Sequence, residues 1–301
     1  MRLISNLGKT KYHFRRPAVA IGIFDGMHRG HQLILKRTVQ FARAHKTKSI
    51  VITFFPHPAQ EESILSLEHR IKLIESFGID FCVVIQFTKK FSQIKAEEFV
   101  KNILAKQFAP QAVFVGENFT FGRHAEGNAK MLRYLANQYN FKLFSIPMVK
   151  AGERVISSTS IRSLIKNGSI SKAQRLLGRP VSVLGRVIKG SGRGRLWHVP
   201  TANINPHHEV LPKEGIYAVK INFGAKILKG VCYIGHVSIL KNNPKRIEVH
   251  IFNFHREIYG WNLEIIFVKR IRSSLRFHCK EALIEQIRKD IQKAKQIFKQ
   301  Q

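Results

Sequence analysis

The chain has 301 residues and 44% of them are apolar, so it is long enough for two globular domains and is not a disordered protein. Its 51 Lys and Arg residues outnumber 19 Asp and Glu residues, for a formal net charge of +32 that attracts polyanions but indicates no fold. No apolar run approaches the roughly 20 residues that span a bilayer, and the first residues lack the pattern of a signal peptide. We therefore expect a cytoplasmic protein without a membrane span.

The basic residues are spread along the whole chain instead of forming one tail. A general Lys and Arg bias on solvated surfaces therefore explains the charge as well as a nucleic-acid surface does, and we expect no more than weak, nonspecific polyanion binding. The cysteines, Cys82, Cys232 and Cys279, are odd in number and far apart. This pattern indicates packing residues in a reducing compartment. The sequence leaves the oligomeric state open.

In the first half of the chain, short apolar runs alternate with helical patterns. The strand-like runs are "AVAIGIF", "SIVITF", "FCVVIQF", "AVFV" and "FKLFSIP", and the helical patterns cover 32–45, 68–77, 96–107 and 129–139. Apolar runs separated by helices predict a parallel sheet with right-handed crossovers. The first domain is therefore expected to be an α/β domain.

From residue 181, strand-like runs follow one another with turn residues between them: "VSVLGRVI", "GIYAVKINF", "ILKGVCYIG", "RIEVHIFNF" and "NLEIIFVKRI". This spacing predicts a small antiparallel barrel. An apolar stripe over 279–298 predicts a C-terminal helix that packs on the barrel. Two short helices and a Gly-Arg-Pro break precede residue 181, so we place the domains at 1–180 and 181–301.

The stretch "GIFDGMHRGH" directly follows the first predicted strand. Its glycines, Gly22, Gly26 and Gly30, let the backbone approach a ligand closely, and a helix that begins near His31 would point its free N–H groups at the same crevice. His28 and His31 can both face that crevice and donate hydrogen bonds to phosphate oxygens. The stretch therefore predicts a phosphate-binding loop.

The same two histidines are also compatible with a metal site or with a purely structural turn. A metal site needs further ligands, and no third carboxylate or histidine lies at a matching spacing. Two histidines whose hydrogen bonds are satisfied within a tight turn would leave the glycines unexplained. Asp25 is equally consistent with a turn residue, because Asp-Gly favours turns.

Four later segments are ambiguous when taken alone. "SSTSIR" at 157–162 is typical of a helix N-terminus, "PTAN" at 200–203 of a turn, and "GSGRGR" at 190–195 of a flexible loop that can close over phosphates. Glu248, in the alternating run "RIEVHIF", is either a surface residue or a general base at the barrel mouth.

Ordered motifs across almost the whole chain resemble those of the bacterial bifunctional riboflavin kinase/FAD synthetase family. The first module shows "GIFDGMHRGH", "TFFPHP", "VFVGENFTFGRHAEGN" and "ISSTSIRSLIKNGSI". The second shows "LLGRPVSVLGRVIKGSGRGRLWHVPTANI", "EGIYAV", "IEVHIFNFHREIYGWNLEIIFVKRIR" and "LIEQIRKDIQKAK". The resemblance implies a nucleotidylyltransferase domain of Rossmann-like fold followed by a riboflavin kinase barrel. A cytidylyltransferase that shares only the two-histidine motif would lack this second module.

For the first module, the resemblance implies that FMN attacks the α-phosphorus of ATP and releases pyrophosphate. His28 and His31 would contact the ATP phosphates, and Arg162 would hold the pyrophosphate half. The implied nucleotide- or flavin-binding residues are Gly22, Phe24, Asp25, Gly26, Gly30, Asn118, Phe119, Ser157, Ser158 and Thr159.

For the second module, the resemblance implies phosphorylation of riboflavin by ATP. Glu248 would be the general base, and Thr201 and Asn203 would bind Mg²⁺. The implied phosphate-binding loop residues are Gly190, Gly192, Arg193 and Gly194. ATP, riboflavin and FMN are then the expected substrates.

The sequence departs from the family pattern mainly in the second module. The residues that differ are Trp197, His198 and Val199 before "PTAN", Ser238, Ile239 and Leu240 after "YIG", and Ser274 after "IR". These changes leave an alternative open, in which the chain is an FAD synthetase with a weakened or inactive kinase module.

Overall fold

The computed structural model describes residues 1–5, 14–59, 61–190, 199–207, 210–224, 226–235 and 245–300. These residues form two compact units. Unit 1 comprises Met1–Ser63 and Leu67–Ser158, and unit 2 comprises Ile64–Ser66 and Thr159–Gln301. The boundary at residue 180 was predicted for the two functional modules, and it stays a prediction. The packing unit differs from that module, because the main part of unit 2 begins at Thr159. Within the described ranges, no helix combines the length and apolar character needed to cross a membrane.

Unit 1 is built around a six-stranded parallel sheet with the order β1-β4-β3-β2-β5-β6. Its strands are β1 (Arg2–Ile4), β2 (Ala18–Ile21), β3 (Ser49–Phe55), β4 (Phe81–Gln86), β5 (Ala112–Gly116) and β6 (Lys142–Ile146), followed by a small hairpin of β7 (Lys150–Ala151) and β8 (Arg154–Val155). The helices are α1 (Arg29–Ala44), α2 (Leu67–Glu75), α3 (Lys89–Ser92), α4 (Ala96–Glu98) with a π-helix over Phe99–Phe108, and α5 (Ala129–Gln138). The predicted α/β domain is confirmed; β1 and the hairpin were not predicted.

The middle strands of this sheet are apolar because helices cover both faces. All four residues of β2 are buried, as are the first six of β3. Helix α1 packs Ile34, Leu35, Val39 and Ala42 towards the sheet. It begins at Arg29 with His28 as its N-cap, earlier than the predicted start near His31, because the His28 side chain accepts a hydrogen bond from the first turn.

Unit 2 is a closed six-stranded antiparallel barrel with helices before and after it. The strands are β9 (Val181–Ile188), β10 (Ala202–Asn205), β11 (Gly215–Phe223), β12 (Lys226–Gly235), β13 (Arg246–Ile251) and β14 (Asn262–Arg272), in the order β10-β13-β12-β11-β14-β9. The helices are α6 (Ser158–Lys166), α7 (Ile170–Leu177) and α8 (Lys280–Lys299). The predicted barrel and C-terminal helix are confirmed. The expectation that "PTAN" forms a turn is wrong for its last two residues. They begin strand β10, which pairs with both β9 and β13.

Helix α8 covers part of the outer barrel wall. Ala294 and Phe298 pack against Ile216, Ala218 and Val231. A partly buried ion pair adds to this contact, since Arg272 of β14 donates from Nε and Nη2 to the carboxylate of Asp290 at 2.8 and 2.6 Å.

All three cysteines were predicted to be packing residues, and this is wrong for Cys279. Cys82 and Cys232 are buried packing residues, whereas Cys279 is exposed directly before α8.

Candidate functional site

The loop after β2 lies at the carboxyl edge of the sheet, between the ends of β3 and β5. Ligands bind at this edge in open parallel sheets. The loop turns sharply, with positive φ values of 55° at Phe24, 77° at Gly26 and 48° at Met27. Asp25 starts a short 3₁₀ turn and is only 3% exposed, so it is both a turn residue and a buried acid.

The rings of His28 and His31 stack on each other with centroids 3.6 Å apart. His28 Nδ1 accepts a hydrogen bond from the backbone N–H of His31 at 3.4 Å, and Phe24 contacts the His31 ring edge-on. Gly30 lies against His28, where an added Cβ would come within 3.2 Å of its ring. The paired imidazoles are thus held at the N-terminus of α1, where backbone N–H groups favour an anion.

The environment of His31 favours its neutral form. Burial is the largest cause that lowers its pKa well below the usual value, and the charges of His28 and Arg70 lower it further. A hydrogen bond with the backbone of Asp25 acts in the opposite direction. His31 Nδ1 is buried and has no hydrogen-bond partner among the described residues.

Arg70 of α2 was not predicted from the sequence. The residue is 3% exposed, and its guanidinium donates to the backbone oxygens of Ile23 and Phe54 at 2.6 and 3.2 Å. The signal that could have identified it was a basic residue on the apolar stripe that contains Leu67 and Ile74.

Other predicted residues lie at the same edge of unit 1. Asn118 and Phe119 follow β5, the neighbour of β2; Asn118 is exposed, and Phe119 is half-buried and stacks on Phe121. Ser158 donates from its hydroxyl to the backbone oxygen of Asp25 at 2.9 Å. The structure therefore brings Ser158 to the two-histidine loop.

The remaining residues predicted for the first site divide between the units. Ser157 belongs to unit 1, whereas Thr159 and Arg162 belong to unit 2. Arg162 lies one turn after Ser158 on α6 and is 9% exposed.

In unit 2 the barrel pairs Asn203 directly with Glu248, across β10 and β13. Glu248 is half-buried and alternates along β13 with the buried residues Ile247, Val249 and Ile251, so its side chain lies on the opposite face of the strand from theirs. Burial raises the pKa of Glu248, and Arg246 opposes that shift.

The segment around Thr201 and Asn203 contacts β13 and the residues that follow β9. His250 Nδ1 donates to the backbone oxygen of Pro200 at 2.9 Å, directly before Thr201. Gly190 lies against the side chain of Asn203, since an added Cβ would overlap the Asn203 amide. Thr201 lies at an open pocket formed with Val187, Pro200, Ala202, Val249, Ile251, Phe254, Arg256, Glu257, Ile258 and Tyr259.

Several predicted residues lie outside the described residues. These are Gly192, Arg193 and Gly194 of the loop, together with the departures Trp197, His198, Ser238, Ile239 and Leu240. Ser274 is described, and it forms a hydrogen bond with the hydroxyl of Tyr233, the residue paired with Glu248 on β12.

Comparison with known proteins matches each unit to a family. Residues 11–160 match the family model described as FAD synthetase, and residues 177–298 match the one described as riboflavin kinase. A protein from Buchnera aphidicola (subspecies Schizaphis graminum), named bifunctional riboflavin kinase/FMN adenylyltransferase, is 36% identical over 99% of both chains. A protein of the same name from Listeria monocytogenes is 35% identical over 93% of this chain and 92% of the relative.

A solved structure has a similar overall fold. A Streptococcus pneumoniae protein, described as a macrolide-efflux protein, superposes with a TM-score of 0.82 and 27% identity over 96% of both chains. The family matches, the relatives and the two units agree with the predicted resemblance. The chain belongs to the family of bifunctional riboflavin kinase/FMN adenylyltransferases.

Proposed function

We propose that this chain makes FAD from riboflavin in two ATP-dependent steps, with the barrel forming FMN and the α/β unit converting FMN to FAD. The observation that carries the proposal is the presence, in one chain, of both matched modules with their candidate groups already adjacent. His28 stacks on His31 in one unit, and Asn203 pairs with Glu248 in the other.

In the adenylylation step, a phosphate oxygen of FMN forms a bond to the α-phosphorus of ATP. The bond to the bridging oxygen of the β-phosphate breaks, and pyrophosphate leaves. The attacking phosphate is already anionic, so the protein must align the reactants and neutralise developing charge, without a general base. The N-terminus of α1 and the stacked imidazoles suit that task because they present hydrogen-bond donors to phosphate oxygens.

We assign supporting roles to the other residues that were predicted for adenylylation. Gly22, Phe24, Asp25, Gly26 and Gly30 would shape the crevice. Asn118, Phe119, Ser157, Ser158 and Thr159 would hold the nucleotide or flavin. Arg162 would bind the pyrophosphate half through its planar guanidinium.

In the kinase step, the terminal ribityl hydroxyl of riboflavin attacks the γ-phosphorus of ATP, and ADP leaves. A hydroxyl must lose its proton as it attacks, and Glu248 is proposed to accept that proton. Gly190, with Gly192, Arg193 and Gly194, would lie along the phosphates. The open pocket beside Thr201 would receive part of the nucleotide, because Thr201, one of the two proposed metal-binding residues, lines it.

The oxygen donors around Asn203 fit Mg²⁺. Thr201 supplies a hydroxyl and Asn203 an amide oxygen, which are hard oxygen ligands of the kind that Mg²⁺ prefers alongside substrate phosphates. When bound, Mg²⁺ would neutralise charge on the ATP phosphates. We propose Thr201 and Asn203 as its protein ligands.

The alternative of adenylylation alone has less support, because the riboflavin kinase match spans 177–298 and both Asn203 and Glu248 are paired. We propose the cytoplasm as the compartment, which is supported by the free cysteines. The net charge of +32 would add weak, nonspecific binding of polyanions.

Product analysis tests the proposal. The purified chain is incubated with ATP and Mg²⁺, first with riboflavin and then with FMN, and the flavins are separated by chromatography. We expect FMN and FAD from riboflavin, and FAD from FMN. FAD from FMN alone would leave only the adenylyltransferase, and no flavin product in either reaction would refute the proposal.

A further inference from the structure

Arg70 is a buried cation that no sequence motif identified. A guanidinium remains charged at physiological pH, although burial lowers the pKa of Arg70 from its ordinary value. Burying a charge is costly unless hydrogen bonds and an opposite charge compensate for the lost hydration. Its position on α2 therefore needs acceptors in the surrounding structure.

Two backbone oxygens supply them. Ile23 follows β2 and Phe54 lies near the end of β3, and the two strands are neighbours in the sheet. The two terminal nitrogens of the guanidinium, here called the fork of Arg70, donate to these oxygens. Nη1 donates to Ile23 and Nη2 to Phe54. A single guanidinium thus joins the carboxyl ends of two strands, which the compact ammonium of lysine cannot do with the same geometry.

The oxygen of Ile23 is the first anchor of the two-histidine loop. The next residues include left-handed Phe24 and Met27, and such strained conformations persist only where surrounding contacts enforce them. Thr53 of β3 also donates to the Ile23 oxygen, at 2.9 Å. The entry to the loop is therefore held by side chains from both β3 and α2.

The charge of Arg70 also acts on the histidines. It is one of the causes that lower the pKa of His31, after burial and the charge of His28. The groups that face Arg70 itself are Asp25 in the loop and Cys82 on β4. Arg70 Nε and His31 Nδ1 are both buried without a hydrogen-bond partner among the described residues. Both atoms can therefore form a further hydrogen bond, with a ligand or with water.

We propose that Arg70 is a positioning residue for FMN adenylylation: its guanidinium holds the loop after β2 so that His28 and His31 face the ATP phosphates. This inference rests on the proposed function of unit 1. Arg70 acts through the backbone of the loop and through its charge. Its removal should therefore affect the rate of the chemical step more than the binding of either substrate.

Three variants separate these contributions. Arg70→Gln removes the charge and the fork, and Arg70→Lys keeps the charge but loses the fork. Lys72→Gln is the matched control, because Lys72 is an exposed cation on the same helix. For each protein, FAD formation from FMN and ATP is measured as kcat and KM across the acid and neutral pH range. Riboflavin phosphorylation and thermal unfolding are measured on the same preparations.

We expect Arg70→Gln to lower kcat for adenylylation by about 10- to 100-fold while both KM values change little, because a small misplacement of the histidines slows the reaction. Loss of the positive charge raises the pKa of His31, so the inflection that His31 causes in the pH profile moves to higher pH. Arg70→Lys lowers kcat less and leaves that inflection in place. Lys72→Gln behaves as wild type, and all variants keep riboflavin kinase activity.

Wild-type adenylylation by Arg70→Gln would overturn the inference, as would an unshifted pH profile in that variant. If Arg70→Gln does not unfold cooperatively, Arg70→Lys decides, since wild-type kcat in this variant refutes a need for the fork. A wild-type chain that makes no FAD from FMN would instead refute the proposed function of unit 1.

Discussion

Asn203 and Glu248 face each other across adjacent barrel strands, although all of β11 and β12 lies between them in the sequence. Closing the barrel brings an amide oxygen suited to Mg²⁺ next to a carboxylate suited to accepting a proton. Burial raises the pKa of that carboxylate, which makes it a better base when it is ionised.

Glu248→Gln should abolish most riboflavin phosphorylation and spare adenylylation. Removing a general base typically lowers the rate by about 10²- to 10⁴-fold. The measurement is FMN formation from riboflavin and ATP beside FAD formation from FMN. Kinase activity close to wild type would contradict the assigned role.

The raised pKa of Glu248 also predicts the direction of two further effects, one on the pH dependence of the kinase reaction and one on the stability of the fold. Its folded-state pKa is raised above the ordinary value of 4.5, so the acid limb of kcat/KM for riboflavin should lie above pH 4.5 and be absent from adenylylation. A raised carboxyl pKa stabilises the fold at low pH, and that contribution is lost as pH rises through the folded pKa. Glu248→Gln should therefore be at least as stable as wild type at neutral pH.

Gly190→Ala should weaken the kinase selectively. The new Cβ would overlap the amide of Asn203 and displace a proposed Mg²⁺ ligand, with a loss of activity on the order of tenfold. A titration of Mg²⁺ in the riboflavin assay measures the effect, and adenylylation serves as the internal control. An unchanged Mg²⁺ dependence would show that Asn203 has no such role.

His31→Ala should lose transition-state stabilisation of about 2–4 kcal/mol in adenylylation and keep riboflavin phosphorylation. His45→Ala is a matched control, because His45 lies at the opposite end of α1. Comparison of kcat/KM for FMN gives the energy. Equal loss of both activities would contradict independent sites.

His28 caps α1, and this structural role can be separated from the role in adenylylation that we propose for it. His28→Ala removes the N-cap of α1 and should cost about 1 kcal/mol or less in unfolding free energy, whereas His28→Asn keeps a capping acceptor. Both variants should lose adenylylation. Thermal unfolding compared with activity tests this, and a fully active His28→Asn would reduce His28 to a capping residue.

The partly buried ion pair between Arg272 and Asp290 should stabilise the attachment of α8. Asp290→Leu leaves Arg272 without its carboxylate and should cost about 3–5 kcal/mol, while the double variant with Arg272→Met should recover much of that loss. Chemical denaturation followed by circular dichroism measures both. Additive losses in the double variant would argue against the pair.

Local patterns were sufficient to predict much of the fold. The alternation of apolar runs and helices predicted the parallel sheet, and the run of strands after residue 181 predicted the barrel. The short, polar strand β10 (Ala202–Asn205) was missed, because it begins within "PTAN", which has the composition of a turn, and it becomes a strand only by pairing with β9 and β13.

The sequence by itself determined the two-histidine loop, because its residues are neighbours in the chain and the glycines and the helix start lie within the same ten residues. Only the tertiary structure decided that Glu248 lies beside Asn203 and that Arg70 joins Ile23 to Phe54. Periodicity specifies which face of an element is buried, and this is a local property of the chain. The pairing of distant residues depends on strand register and helix packing, which are set when the whole sheet or barrel assembles.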